Sequence, residues 1–210
     1  MAYSNFTKVK QVMNAFGLKP KAAELFENVA PVQPSDWLKV TLQKSENMHF
    51  VSEKERSERL VSPILTELSE INKNQMRIYS GRELNVDVNA GLNGECDYLL
   101  SWGVMYEEPD VPIFSIVEAK RNDLELGTAQ CLAQMVGAKK YNESNGVKTD
   151  ILYGASTTGT EWKFMKMDKN SVITKYDLYS IYRLEELLGA LQFIVNDTKN
   201  LYPVESGLQV

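Results

Sequence analysis

Residues 112–121, PIFSIVEAKR, constrain this chain more than any other stretch. An apolar run from Ile113 to Val117 reads as a buried strand. It ends in Glu118, a single Ala119, then Lys120 and Arg121. Residues alternate faces along a strand, so Glu118 and Lys120 share one face and Ala119 takes the other. A strand this apolar therefore has to settle a carboxylate and an ammonium side by side at its end.

The strand before it sharpens the pattern. If ECDYLLSWGV and VPIFSIVEAK form a hairpin centred on Glu107 and Glu108, Asp97 faces Glu118 as a direct cross-strand neighbour. A bulge would shift that register. Two carboxylates so close repel unless a proton or a cation lies between them. Oxygen ligands suit Mg2+ or Mn2+, which take one or two carboxylates and leave places for water and phosphate oxygens. Lys120 on the same face can hold or polarise an attacking water, or neutralise charge developing on phosphorus. The spacing thus points to metal-assisted phosphodiester hydrolysis. The alternative reading is an exposed strand end carrying a salt bridge, because Glu-x-Lys alone is a common triplet.

The hydrophobic period divides the rest of the chain. Residues 1–48 read as an N-terminal helical arm, with helices in NFTKVKQVMNAFGL, KAAELFENVA and PSDWLKVTLQKS. Gly17 stops the first and Ser35 caps the third. Residues 49–210 read as one further domain. Its first helix opens with Ser52 and Glu55 in capping-box spacing and carries an apolar stripe of Leu60, Ile64, Leu68 and Ile71. Pro63 inside it bends or divides it. Then the period becomes two: QMRIYSGRELNVDV is one strand or a hairpin bent at Gly81, followed by ECDYLLSWGV, the turn MYEEPD and VPIFSIVEAK. GTAQCLAQMVGAKKYN is a helix, DILYGASTTGTEWKFMKM two strands about a TTG turn, SVITKYDLYSI another strand, and RLEELLGALQFIVNDT the closing amphipathic helix. The order gives an α/β class.

Composition removes several mechanisms. The only histidine is His49, which excludes HEXXH zinc sites and multi-histidine metal centres. There is no P-loop and no helicase motif. Two cysteines make no disulfide framework, and no apolar signal core opens the sequence, so a cytoplasmic, reduced chain is expected. No stretch has the length of a membrane span. With a net charge of −5, nucleic-acid binding needs a local basic patch.

GECDYLL together with PIFSIVEAKR resembles the PD-(D/E)XK nuclease superfamily, and most nearly the nuclease domains of type I restriction enzymes and small bacterial proteins of that kind. The resemblance covers residues 50 to about 165 and rests on a short motif. It implies a restriction-endonuclease-like fold: a mixed central β-sheet flanked by helices. It implies a Mg2+-dependent nuclease acting foremost on DNA, with Asp97 and Glu118 holding Mg2+ or Mn2+ and Lys120 completing the catalytic set. Cys96 stands where the motif has proline. Relatives carry Gln-x-x-x-Tyr in the following helix; the matching spacing here gives Gln130 and Gln134 without the tyrosine, and one of them would orient a phosphate or base. Members also place a glutamate on the first helix facing the metal, for which Glu53 is preferred to Glu58.

Arg121, Gln134 and the Lys139–Lys140 pair are the candidate nucleic-acid contacts, with Arg77 and Arg82 adding to the track; a solvated helix end explains the lysine pair equally well. Trp162 reads as core before it reads as a base-stacking platform, and Cys96 and Cys131 as buried thiols on the sheet face opposite the site. The partners expected are nucleic acid and no membrane, with a homodimer left open. Two other functions stay open: a nuclease-fold module that binds nucleic acid or protein without cutting, and an inert α/β domain.

Overall fold

The computed structural model describes residues 2–73, 75–103 and 108–202. At its centre is a mixed, mostly antiparallel sheet. The strand order is β1 (Lys19–Pro20), β7 (Ser171–Thr174), β6 (Glu161–Asp168), β5 (Ile151–Thr157), β4 (Ile113–Ala119), β3 (Glu95–Trp102) and β2 (Met76–Glu83), and β8 (Tyr179–Ser180) pairs with β6 off that path. This is the α/β class expected, with a central sheet flanked by helices. Every residue of β4 is buried, as its apolar run requires. β4 and β5 run parallel, and parallel neighbours need a crossover. Helix α5 (Leu124–Ser144) is that crossover, and it lies across β4 and β5.

Each face of the sheet has its own core. On one, Leu38 of α2 (Asp36–Glu46), Ile64 and Leu68 of α4 (Ser62–Ile71) and Leu187 of α6 (Leu184–Leu201) pack with Tyr98, Phe114 and Val117. On the other, Val12 of α1 (Val9–Phe16) and Leu132 and Met135 of α5 pack with Leu99 and Ile116. Fully burying one such side chain stabilises by ~1.5–3 kcal/mol, far more than the few tenths by which helix propensities differ.

Residues before 49 contribute to both cores: Tyr3, Phe6 and Val12 to one, Leu25, Phe26, Leu38 and Leu42 to the other. The helix expected over KAAELFENVA does not form. Leu25 and Phe26 are consecutive and both buried, and Asn28 has φ of +54°. Phe26 makes edge contacts with Phe164, Tyr179 and Phe193 at 5.3–5.7 Å, and these tertiary contacts override a local helical preference.

Pro63 divides the helix, as expected, without ending it: it stands in the first turn of α4, directly after a π turn. Helix α3 (Glu53–Arg56), a π turn (Ser57–Val61) and α4 follow one another with right-handed helical backbone at the junctions. Proline lacks the N–H that would bond the carbonyl four residues back. That carbonyl belongs to Arg59, and it accepts instead from Ser45 Oγ at 3.3 Å. The capping box forms as expected: Ser52 Oγ accepts from Glu55 N at 3.1 Å and Glu55 Oε2 from Ser52 N at 2.9 Å. Among the described residues no helix is long and apolar enough to cross a membrane.

Candidate functional site

The β3–β4 ladder sets the site. It pairs Leu100 with Ser115, Leu99 with Ile116 and Tyr98 with Val117, and the next step of that register puts Asp97 against Glu118. The bulge lies on the turn side, between Leu100 and Ser101, and leaves this end of the register untouched. Val104, the last residue of the expected ECDYLLSWGV strand, and residues 105–107 of the expected MYEEPD turn lie outside the described residues. Asp97 Oδ2 accepts from Ala119 N at 2.7 Å, which fixes the aspartate across the strand end.

Lys120 gathers the remaining groups. Its Nζ donates to Glu118 Oε1 at 2.7 Å, to Ala119 O at 3.0 Å and to Glu53 Oε1 at 3.3 Å. Glu53 also accepts from the Arg121 amide at 3.2 Å, so the first residue of α3 is tied to the loop after β4. Glu58 is exposed and pairs with Lys54 one turn away. Gly127 at the start of α5 leaves room for the lysine stem, since a methyl there would meet Lys120 Cγ at 3.0 Å. From the same helix Gln134, 1% exposed, donates Nε2 to Glu118 Oε2 at 2.8 Å, while its Oε1 is buried without a partner. Gln130 Nε2 lies 3.5 Å from Ser4 O.

These groups line one cleft of about 490 Å3, together with Ala2, Tyr3, Ser4 and the turn Asn93–Glu95. Four carboxylates (Glu53, Glu95, Asp97, Glu118) face a single ammonium, Lys120. Burial, then the charge of Glu118, pushes Asp97 up to about 7 from its ordinary value of 3.8. Glu118 is also raised, chiefly by burial and against the pull of Lys120. Burial alone would lower Lys120, but the charge of Glu118 and its hydrogen bond more than offset this and the net shift is upward. The strand end thus holds two carboxyls at a cost that a second cation would relieve.

Other expected residues lie elsewhere. Lys140 pairs with Asp87 at 3.0 Å and Lys139 donates to Lys169 O at 3.2 Å, toward the end of α5 away from Gln130. Arg121 is exposed beside the site, Arg82 is exposed on β2, and Arg77 Nε is buried. Trp162 is wholly buried against Phe164. Cys96 and Cys131 are buried, but not on the far face: both belong to the core under α5, where burial and then the charge of Glu118 push each thiol up. The cleft wall from Ala2 to Ser4 was unforeseen. Its one sequence signal was Gly137, a glycine in mid-helix that marks a close approach.

The donor set for a metal is small. Among the described residues no three His, Cys, Asp or Glu side chains come together as a metal-binding group. No model of a known protein family matches the sequence, and no curated protein is similar enough to align with it.

Proposed function

We propose that this chain is a Mg2+- or Mn2+-dependent nuclease of the PD-(D/E)XK kind, hydrolysing phosphodiester bonds in nucleic acid, foremost DNA. The observation that carries the reading is the meeting of Asp97, Glu118, Lys120 and Glu53 at the end of one strand, in one cleft. Nothing about a chance Glu-x-Lys triplet requires a facing aspartate or a glutamate delivered from another helix.

The residues present fit a hard divalent cation. Lys120 Nζ touches Glu118 Oε1 and Ala119 O together, so both oxygens face one cation-sized space, with Asp97 across the strand. Glu118, Asp97 and the Ala119 carbonyl would hold the ion, an all-oxygen set of the kind Mg2+ and Mn2+ take along with water. When bound, the ion supplies charge neutralisation and an acidified water. Lys120, beside Glu118 on the same face, would position the attacking water or stabilise charge developing on phosphorus. Gln134 orients Glu118, and Glu53 holds Lys120 and the Arg121 amide in place. With four carboxylates lining the cleft, a phosphodiester enters against net negative charge unless divalent cations are present, which favours metal-dependent binding as well as metal-dependent chemistry.

A second reading, a nuclease-fold module that binds without cutting, has one observation in its favour. Lys120 already contacts three oxygens, so its ammonium can serve as the site's permanent cation. Plasmid nicking by purified protein in Mg2+ or Mn2+, with EDTA controls, separates the two. Cleavage that EDTA abolishes supports the nuclease; a folded protein that cuts neither single- nor double-stranded DNA or RNA leaves the binding module.

A further inference from the structure

Part of the cleft wall, Ala2 to Ser4, comes from a stretch whose sequence carries no chemical signal. The turn Tyr3–Asn5 is held in place by Tyr3 N donating to Asn93 O at 3.0 Å, Tyr3 OH donating to Leu84 O at 2.9 Å, and Gln130 reaching Ser4 O. Tyr3 is 2% exposed. Its hydroxyl occupies the space that a methyl on Gly137 would need, and its ring passes close over Gly94. Glycine inside a long helix is unfavourable relative to alanine, so Gly137 is accounted for by the tyrosine it admits.

We propose that residues 2–5 form a fixed strap that is the substrate-binding wall of this cleft and holds the nucleotide flanking the scissile phosphate. The inference rests on the nuclease reading above and names which part of the substrate the wall serves. Lys120 and Glu53 contact each other, whereas the strap's own contacts are with Gln130, Asn93 and Gly94 rather than with either of them. The strap therefore borders what lies next to the reacting phosphate. The groups it presents suit a nucleobase or sugar. Ser4 is exposed with a hydroxyl that both donates and accepts, and the Asn93 side chain beside it in the cleft lining adds an amide.

The test uses Gly137→Ala and Gly137→Ser, side chains of two sizes that displace the strap from beneath without touching the cleft. Both are compared with wild type by thermal melt and by steady-state kinetics in Mn2+. The substrates are an oligonucleotide and bis(p-nitrophenyl) phosphate, a small diester with no flanking nucleotide. The expected result is folded variants with small-diester turnover near that of wild type and a KM for the oligonucleotide raised roughly 5- to 10-fold, the loss of one or two hydrogen bonds. An unchanged oligonucleotide KM, or an equal loss on both substrates, overturns the strap. If wild type cuts neither substrate the nuclease reading fails instead, and oligonucleotide affinity in Ca2+ on the same three proteins decides the strap. Weaker binding by the variants supports it; equal binding, or none by wild type, overturns it.

Discussion

At both ends of β4 a buried side-chain amide of α5 meets the strand, and the two meetings differ in kind. At the start, Asn142 is wholly buried. Its Oδ1 accepts from Ile113 N at 2.8 Å, and its Nδ2 donates to Ile113 O at 2.8 Å and Thr149 Oγ1 at 3.1 Å. Every group there is neutral and partnered. At the other end Gln134 meets Glu118, and one amide oxygen is orphaned while two carboxyls are held against their preference for water. The same helix and the same strand thus show that this sequence can satisfy a buried polar contact fully. Its failure to do so eight residues earlier along α5 marks that end as shaped for something other than stability.

Breaking the charged end should therefore affect chemistry and leave the fold standing. Lys120→Ala is expected to lower the plasmid-nicking rate by ~10²–10³, the usual loss when one electrostatic stabiliser of a transition state goes. Its melting temperature should fall, because Glu118 loses its buried partner, but the variant should remain folded at assay temperature. A variant that keeps its rate but melts early would reduce Lys120 to a structural partner of Glu118.

Breaking the neutral end should do the reverse. Asn142→Ala strands the N–H and C=O of Ile113 in a dry core, at a cost of ~2–4 kcal/mol from two unsatisfied backbone groups. Urea denaturation measures it. Activity per folded molecule should be unchanged, and a selective loss of kcat with full stability would erase the contrast between the two ends.

The third prediction uses the sign of the aspartate shift. Asp97 titrates near 7 when folded and near 3.8 when not, so the folded chain binds the extra proton between those values. Stability from this group is present at the acid end of that window and is lost as pH rises through 7. Asp97→Asn mimics the protonated form. Without metal it should match wild type only below about pH 4 and exceed it increasingly as pH rises, by up to ~4 kcal/mol near pH 8. Saturating Mn2+ should reverse the order, because only wild type gains a ligand that binds the folded state. Parallel stability curves for the two proteins from pH 5 to 8 would show that Asp97 is not held at a cost.

Much of this site can be read in the sequence because it depends on strand period and local register. Asp97, Glu118 and Lys120 follow from alternation and a hairpin, and both rules act over a few residues. Glu53 is expected only through the resemblance, with the stripe that runs back from Leu60 choosing it over Glu58. What could not be read depends on contacts distant in sequence. Tyr3 reaches the cleft only because Leu84, Asn93 and Gly137 converge on it. Phe26 leaves a helical pattern for three aromatic partners in other elements. Cys131 faces the sheet from α5 itself and Cys96 joins the same core beneath that helix, a packing that strand alternation alone does not specify.

The smallest effect concerns the basic residues, and it sharpens the comparison by asking how far the charged end extends along α5. Lys139 and Lys140 lie in the last turns of the helix, nearer Asn142 than Gln130. Lys140 is paired with Asp87, and Lys139 with a carbonyl. Arg121 lies in the loop directly after Lys120, its amide fixed by Glu53 and its side chain exposed. A phosphate contact releases counterions and steepens the salt dependence of binding by about 0.9 per charge on duplex DNA. Arg121→Ala is therefore expected to flatten the slope of log affinity against log salt by roughly one unit in Ca2+. The Lys139→Ala, Lys140→Ala double variant should change duplex affinity by less than about twofold, because its charges already have partners and stand at the neutral end. Fluorescence anisotropy across a salt series reads both. If the double variant flattens the slope by about two units while Arg121→Ala does nothing, the nucleic acid runs along the whole of α5 and the two ends of β4 share one binding surface.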